Sequence, residues 1–191
     1  MKKILFTLTF VVSIVCFGQN DFKLDNNTVL IKNGILFKYK NPSHPFIKEE
    51  ESYSSEGNKN LVSAYYSRTS ENIVALQIYA TSIPTKFKNI DWKVIINSSI
   101  NQKKFLNSFL GAAKNADMNN NVSSYKVITI NGKVFLEVQS ILTVSGVTQK
   151  QINWITIYKN TFVNILGSTL INSFDKNLPL FTEFSHYVFI D

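Results

Sequence analysis

Residues 124–169 read SYKVITINGKVFLEVQSILTVSGVTQKQINWITIYKNTFVNILGST. β-Branched, aliphatic and aromatic residues fill four short runs, and the breaks between them hold Asn131-Gly132, Ser145-Gly146 and Lys159-Asn160. Breaks of this kind favour tight hairpins, so the stretch reads as an antiparallel meander. Ile152, Trp154, Thr156 and Tyr158 share one strand face, while Ile155 and Ile157 occupy the other. A strand that is apolar on both faces needs cover on both sides.

The same pattern recurs upstream. Residues 61–68 (LVSAYYSR) and 73–81 (IVALQIYAT) read as two strands joined by 69–72. In the second, Val74, Leu76 and Ile78 alternate with Ile73, Ala75, Gln77 and Tyr79, again leaving both faces largely apolar. Ile83-Pro84 closes the pair. Asn89 or Asp91 can then cap a helix over 90–111, in which Trp92, Ile95, Ile96 and Ile100 form a stripe that Phe105, Leu106, Phe109 and Leu110 resume. Residues 114–123, around Asn119-Asn120-Asn121, read as a polar loop.

Near the start, residues 28–31 and 35–39 are short strands about an Asn33-Gly34 turn, and Pro42 and Pro45 force irregular backbone. Glu49, Glu50 and Glu51 read as a solvated strand end, and residues 56–58 as a turn. After a break at 172–177, residues 178–189 read as a short helix running into an extended end. The expected class is α+β, an antiparallel β-sheet with helices packed on both faces, in one domain over 19–191.

The first segment reads as a targeting signal. Lys2 and Lys3 precede an apolar run over 4–17, shorter than the roughly 20 residues a membrane-spanning helix needs. Cys16 and Gly18 stand at −3 and −1 of a cleavage before Gln19, making 1–18 a cleaved signal peptide. The alternative is a lipoprotein signal with Cys16 lipidated. Such signals want a small residue before the cysteine, and Val15 stands there. Cleavage takes the formal charge from +7 to +5 and removes the sole cysteine, so the exported domain relies on its core, without disulfides. No second apolar run is long enough to span a membrane, and a periplasmic or extracellular location is expected.

Several chemistries are disfavoured. The lysines are scattered and Arg68 is the only arginine, unlike the clustered cations of nucleic-acid readers. Asp117, Asn119 and Asn121 open a calcium-loop pattern, but Val122 and Ile128 stand where it needs glycine and glutamate. His44 and His186 are the only histidines, with no metal-ligand spacing around them. No nucleophile elbow or glycine-rich phosphate loop occurs, and Glu71, Asp91, Glu137 and Glu183 lie in no paired-carboxylate motif. No catalytic residue, metal site or cofactor is expected.

Aromatic side chains remain. Tyr66, Tyr79, Trp92, Trp154 and Tyr158 are the candidate ligand or partner face, although rings at strand and helix spacing also serve as core. Three functions stand open. A non-catalytic module binding an envelope protein requires an exposed apolar or aromatic patch. A small-ligand binder requires a pocket lined by rings such as Trp92, Trp154 or Tyr66. A serine hydrolase requires a serine within reach of His44 or His186.

The order of elements, with ILFKYKNP at 35–42, TINGKVFL at 129–136, IYKNTFVNILGS at 157–168 and FTEFSHYVF at 181–189, resembles the PsbP-like (Mog1/PsbP) family. The resemblance spans nearly all of the chain after residue 18. It implies an α/β/α sandwich and an exported, non-catalytic accessory or ligand-binding module, with no catalytic residues to carry over.

Overall fold

All three breaks of the meander turn with positive φ at both positions, as does Asn33-Gly34: 52° and 74° there, 50° and 75° at Asn131-Gly132, 48° and 80° at Ser145-Gly146, and 47° and 57° at Lys159-Asn160. That backbone matches the right-handed twist of the flanking strands and locks their register. The computed structural model describes residues 24–43, 45–48, 60–68, 73–83, 91–111 and 118–191. Expectations for the signal, His44, Glu49–Glu51, the turns at 56–58 and 69–72, and Asp117 lie outside these residues.

Four long strands make the meander: β6 (Met118–Ile130), β7 (Lys133–Val144), β8 (Val147–Tyr158) and β9 (Thr161–Leu170). β9 pairs with β5 (Ile73–Ser82), which pairs with β4 (Leu61–Arg68), whose far side takes the short β3 (Ile47–Lys48). The result is a seven-stranded antiparallel sheet in the order β3-β4-β5-β9-β8-β7-β6. A separate ribbon joins β1 (Leu24–Lys32), β2 (Ile35–Pro42) and β10 (Phe189–Ile190) in the order β1-β2-β10.

One face of the large sheet carries the main core. Val74, Leu76 and Ile78 of β5, Ile152 and Trp154 of β8, and Val163 and Ile165 of β9 pack with Ile35 and Phe37 of the ribbon. Helix α3 (Phe174–His186) adds Phe174, Leu180, Phe181 and Phe184 to that cluster. Each large apolar side chain taken out of water there contributes roughly 1.5–3 kcal/mol. On the opposite face the helical contact is smaller, with Leu106 joining Leu136, Val138 and Ile155, and Trp92, Phe105 and Phe162 around them.

The turn asparagines also fasten distant elements. Asn33 Nδ2 donates to the Ala80 carbonyl at 2.7 Å, tying the ribbon to β5. Asn131 Nδ2 donates to the carbonyls of His186 and Val188 at 2.8 and 3.0 Å, holding the end of α3 over the β6–β7 hairpin.

Three boundaries differ from expectation. In place of one helix over 90–111, the described part of that segment, 91–111, holds two, α1 (Trp92–Ile96) and α2 (Ser99–Gly111). Asp91 caps α1 by accepting from the Lys93 amide at 2.9 Å, and Ser98 Oγ accepts from the Asn101 amide at 3.4 Å at the start of α2. Asn101 and Gln102 turn back to donate to the Val94 and Ile96 carbonyls. Short polar side chains thus compete with helix continuation, and Ile100 is left exposed instead of joining the stripe. β6 begins at Met118, inside the expected loop, because Asn119–Asn121 pair along Ile141–Thr143. α3 begins at Phe174, with Pro179 inside it instead of near its start.

Candidate functional site

On the face touched by α1 and α2, strand register sorts the side chains into rows. One row runs Leu136, Ile155, Asn164, Tyr79 across β7, β8, β9 and β5. The next runs Val138, Asn153, Leu166, Gln77, Ala64, and the third Ser140, Gln151, Ser168, Ala75, Tyr66. None of these side chains is charged. The apolar end lies under Leu106, and the middle is a band of amides, hydroxyls and phenols.

Hydrogen bonds knit this band. Asn164 Nδ2 donates to Asn153 Oδ1 at 2.9 Å, Tyr79 OH donates to Gln77 Oε1 at 3.0 Å, and Gln77 Nε2 donates to Tyr66 OH. Two buried acceptors of the band remain unmatched, Asn164 Oδ1 on a residue 7% exposed and Ser140 Oγ on one 0% exposed. An unpaired interior polar group costs about 1–3 kcal/mol.

The five expected aromatics do not share one surface. Tyr66 and Tyr79 stand on the polar rows. Trp92 sits in α1, donating its indole N–H to the Val134 carbonyl at 3.1 Å and meeting Phe105 edge-on with centroids 5.6 Å apart. Trp154 and Tyr158 lie on the α3 face. Trp154 is fully buried, with its indole N–H on Glu137 Oε2 at 3.1 Å, and the Tyr158 ring lies under the Lys133 ammonium at 4.0 Å. Sequence reasoning missed Asn153, Asn164 and Ser140. For the two asparagines, the signal available was a lone amide inside each of the apolar runs INWITI and TFVNILG.

A second polar cluster joins the ribbon to β4. Tyr65 OH donates to Asn41 Oδ1, and Asn41 Nδ2 donates to Thr28 Oγ1 at 2.8 Å. Burial raises the pKa of both Tyr39 and Tyr65 above the ordinary tyrosine value; the neighbouring Tyr39 adds to the rise at Tyr65, and Ser63 opposes both. These phenols stay neutral in the native state after an unfolded chain begins to ionise near pH 10. Their stabilisation is therefore intact below about pH 10 and is lost as the pH rises beyond it. In urea titrations of wild type and Tyr65→Phe across that range, the wild type is expected to lose stability more steeply. Parallel losses in the two proteins would exclude Tyr65 as a source of the alkaline sensitivity.

The outer face of the ribbon carries a third feature. Val29, Lys38 and Phe189 form one row, and Ile31, Leu36 and Asp191 the next. Val29, Ile31 and Phe189 are 62%, 70% and 44% exposed, around a Lys38–Asp191 ion pair at 3.6 Å. His186 is exposed in the last turn of α3, and the hydroxyl of adjacent, buried Ser185 is directed to the Thr182 carbonyl at 2.8 Å. Among the described residues, no three His, Cys, Asp or Glu side chains gather to hold a metal, and no helix is long and apolar enough to cross a membrane.

No protein-family model matches the sequence, and no curated protein matches it. Solved structures do. The chain is similar to cyanobacterial PsbP (CyanoP) from Synechocystis, with a TM-score of 0.56 at 11% identity, covering 81% of this chain and 86% of that one. It is also similar to LpqN, involved in cell envelope biogenesis of Mycobacterium tuberculosis, with a TM-score of 0.50 at 11% identity, covering 86% and 90% respectively. The fold is PsbP-like.

Proposed function

We propose that this protein is an exported, non-catalytic accessory module of the bacterial envelope that docks a protein partner through the outer face of the ribbon. The observation that carries the reading is the apolar patch of Val29, Ile31 and Phe189, left in water beside the Lys38–Asp191 pair. A module that works by contact keeps such a patch, whereas a chain with no partner gains nothing from exposing three large apolar residues on the two strands that flank β2. The PsbP-like fold and the involvement of LpqN in cell envelope biogenesis support the reading. Export rests on the signal pattern of residues 1–18, and the α/β/α layering takes α1 and α2 as the second helical layer.

The test uses the full chain after residue 18 as bait against an envelope extract, compared with the double variant Val29→Glu/Ile31→Glu. Both positions are solvent-facing, so the variant is expected to keep the wild-type thermal transition. A partner retained by wild type should bind it at least about thirtyfold more weakly, the loss of a hot-spot contact. Equal retention by both proteins would remove the ribbon face from the function.

A further inference from the structure

Among the described residues, β3 and β6 are the outer strands of the large sheet, and β1 and β10 those of the ribbon. An outer strand is a template for a further one, and proteins blunt it by shortness, lysines or bulges. β3 and β10 are two residues each. β6 is long, but it is bulged between Val122 and Ser124 and carries Lys126. β1 has its bulge between Asp25 and Asn27, and from Val29 to Ile31 it holds no charge, no proline and no irregular pairing. We propose that this open edge pairs antiparallel with the same edge of a second copy, joining two three-stranded ribbons side by side.

The main chain of that edge is open, and its direction is fixed. Leu36 of β2 exchanges both of its main-chain hydrogen bonds with Asp191, each at 2.9 Å. Those groups therefore point away from β1, and Ile31, opposite Leu36, turns its own N–H and C=O to the outside. Val29, two residues back, does the same by the alternation of an antiparallel ladder. Side chains are open on both sides of the edge. Val29 and Ile31 are exposed on the outer face, and Leu30, opposite the buried Phe37, is still 37% exposed on the inner one.

The run Thr28–Lys32 is its own complement, which is what selects a second copy as the occupant. With Leu30 on a twofold axis, Val29 of each copy exchanges two hydrogen bonds with Ile31 of the other, and the two Leu30 side chains meet. Thr28 then faces Lys32, so the two lysines stand about 14 Å apart, beyond the screening length of physiological salt. Moving the axis to Val29 would set Ile31 against Asn27 and Leu30 against Thr28, losing the apolar match. Pairing also brings the two patches of Val29, Ile31 and Phe189 onto one continuous face. It uses main-chain groups and Leu30, so it stands whether or not that face docks another protein.

The experiment uses the purified chain after residue 18 alone, in sedimentation velocity from micromolar to millimolar concentration. A concentration-dependent dimer is expected. Val29→Pro deletes an outward N–H that the β1–β2 ladder does not use, so the fold is kept. The dimer should weaken at least about tenfold, through the loss of two equivalent hydrogen bonds. Leu30→Cys gives a readout that does not depend on the proline variant. Cys16 is the only natural cysteine, so the variant without residues 1–18 has a single thiol. Opposed residues of a non-hydrogen-bonded pair lie about 4.5 Å apart at Cα, within disulfide reach. Mild oxidation should link Leu30→Cys at least about tenfold faster than Val127→Cys, which places a thiol at an exposed position on β6. A chain monomeric at every concentration, a folded Val29→Pro that dimerises like wild type, or Leu30→Cys linking no faster than Val127→Cys would each overturn the proposal.

Discussion

Alanine at position 167 destabilises the protein by roughly 1–3 kcal/mol, and valine by more. Gly167 lies in β9, between Leu76 of β5 and Ile152 of β8, on the face that carries α3. A Cβ there would meet Phe181 Cγ and Cδ1 at 2.4 and 2.5 Å and its Cβ at 2.9 Å. Phe181 cannot readily yield, because it is fully buried and its ring packs against Phe174 with centroids 5.9 Å apart. The effect is one of space: the helix approaches the sheet so closely that only a hydrogen atom fits between them. Denaturant unfolding followed by circular dichroism measures it, and Phe181→Leu placed in the Gly167→Ala background should recover part of the loss. A Gly167→Ala protein within about 0.5 kcal/mol of wild type would refute this packing account.

Trp154→Ala is expected to cost about 3–5 kcal/mol, the usual range for emptying a large aromatic site. Trp154 is fully buried beside Ile165 and across from Glu137. Its loss opens a cavity under α3 and takes a donor from Glu137, which keeps only the Lys126 ammonium at 3.2 Å among these contacts. Trp154→Phe separates the two effects. It keeps most of the ring but loses the charge-assisted hydrogen bond, for a cost of roughly 1.5–3 kcal/mol. A near-neutral Trp154→Ala would contradict the packing on this face.

The meander was legible because its information is local. Positive-φ pairs and β-branched runs act within a few residues, and β7, β8 and β9 stand where those runs and breaks put them. In β8, apolar residues of the two parities enter different clusters, Ile152 and Trp154 one and Ile155 the other, whereas β5 contributes to the first alone. The division of segment 90–111 was illegible because its apolar spacing is nearly continuous, while Ser98, Asn101 and Gln102 decide the break through capping that only coordinates display. Asn119–Asn121 read as loop by composition, yet ladder pairing with β7 outweighs their poor strand propensity.

The candidate site was less legible for a related reason. Alternation assigns a residue to one side of its own strand, but only register between strands says that Tyr66, Tyr79 and Asn164 face one way and Trp154 and Tyr158 the other. The ribbon patch was illegible as a patch, since Phe189 reaches Lys38 from the opposite end of the sequence.

That last pairing bears on when the molecule can finish folding. β2 is synthesised early but gains its second neighbour only when β10 arrives, and β5 likewise waits for β9. Such distant closures consume chain entropy before they return any contact energy, so assembly is slow compared with a helical bundle. A nascent polypeptide that still lacks β10 therefore leaves one edge of β2 without its ladder partner.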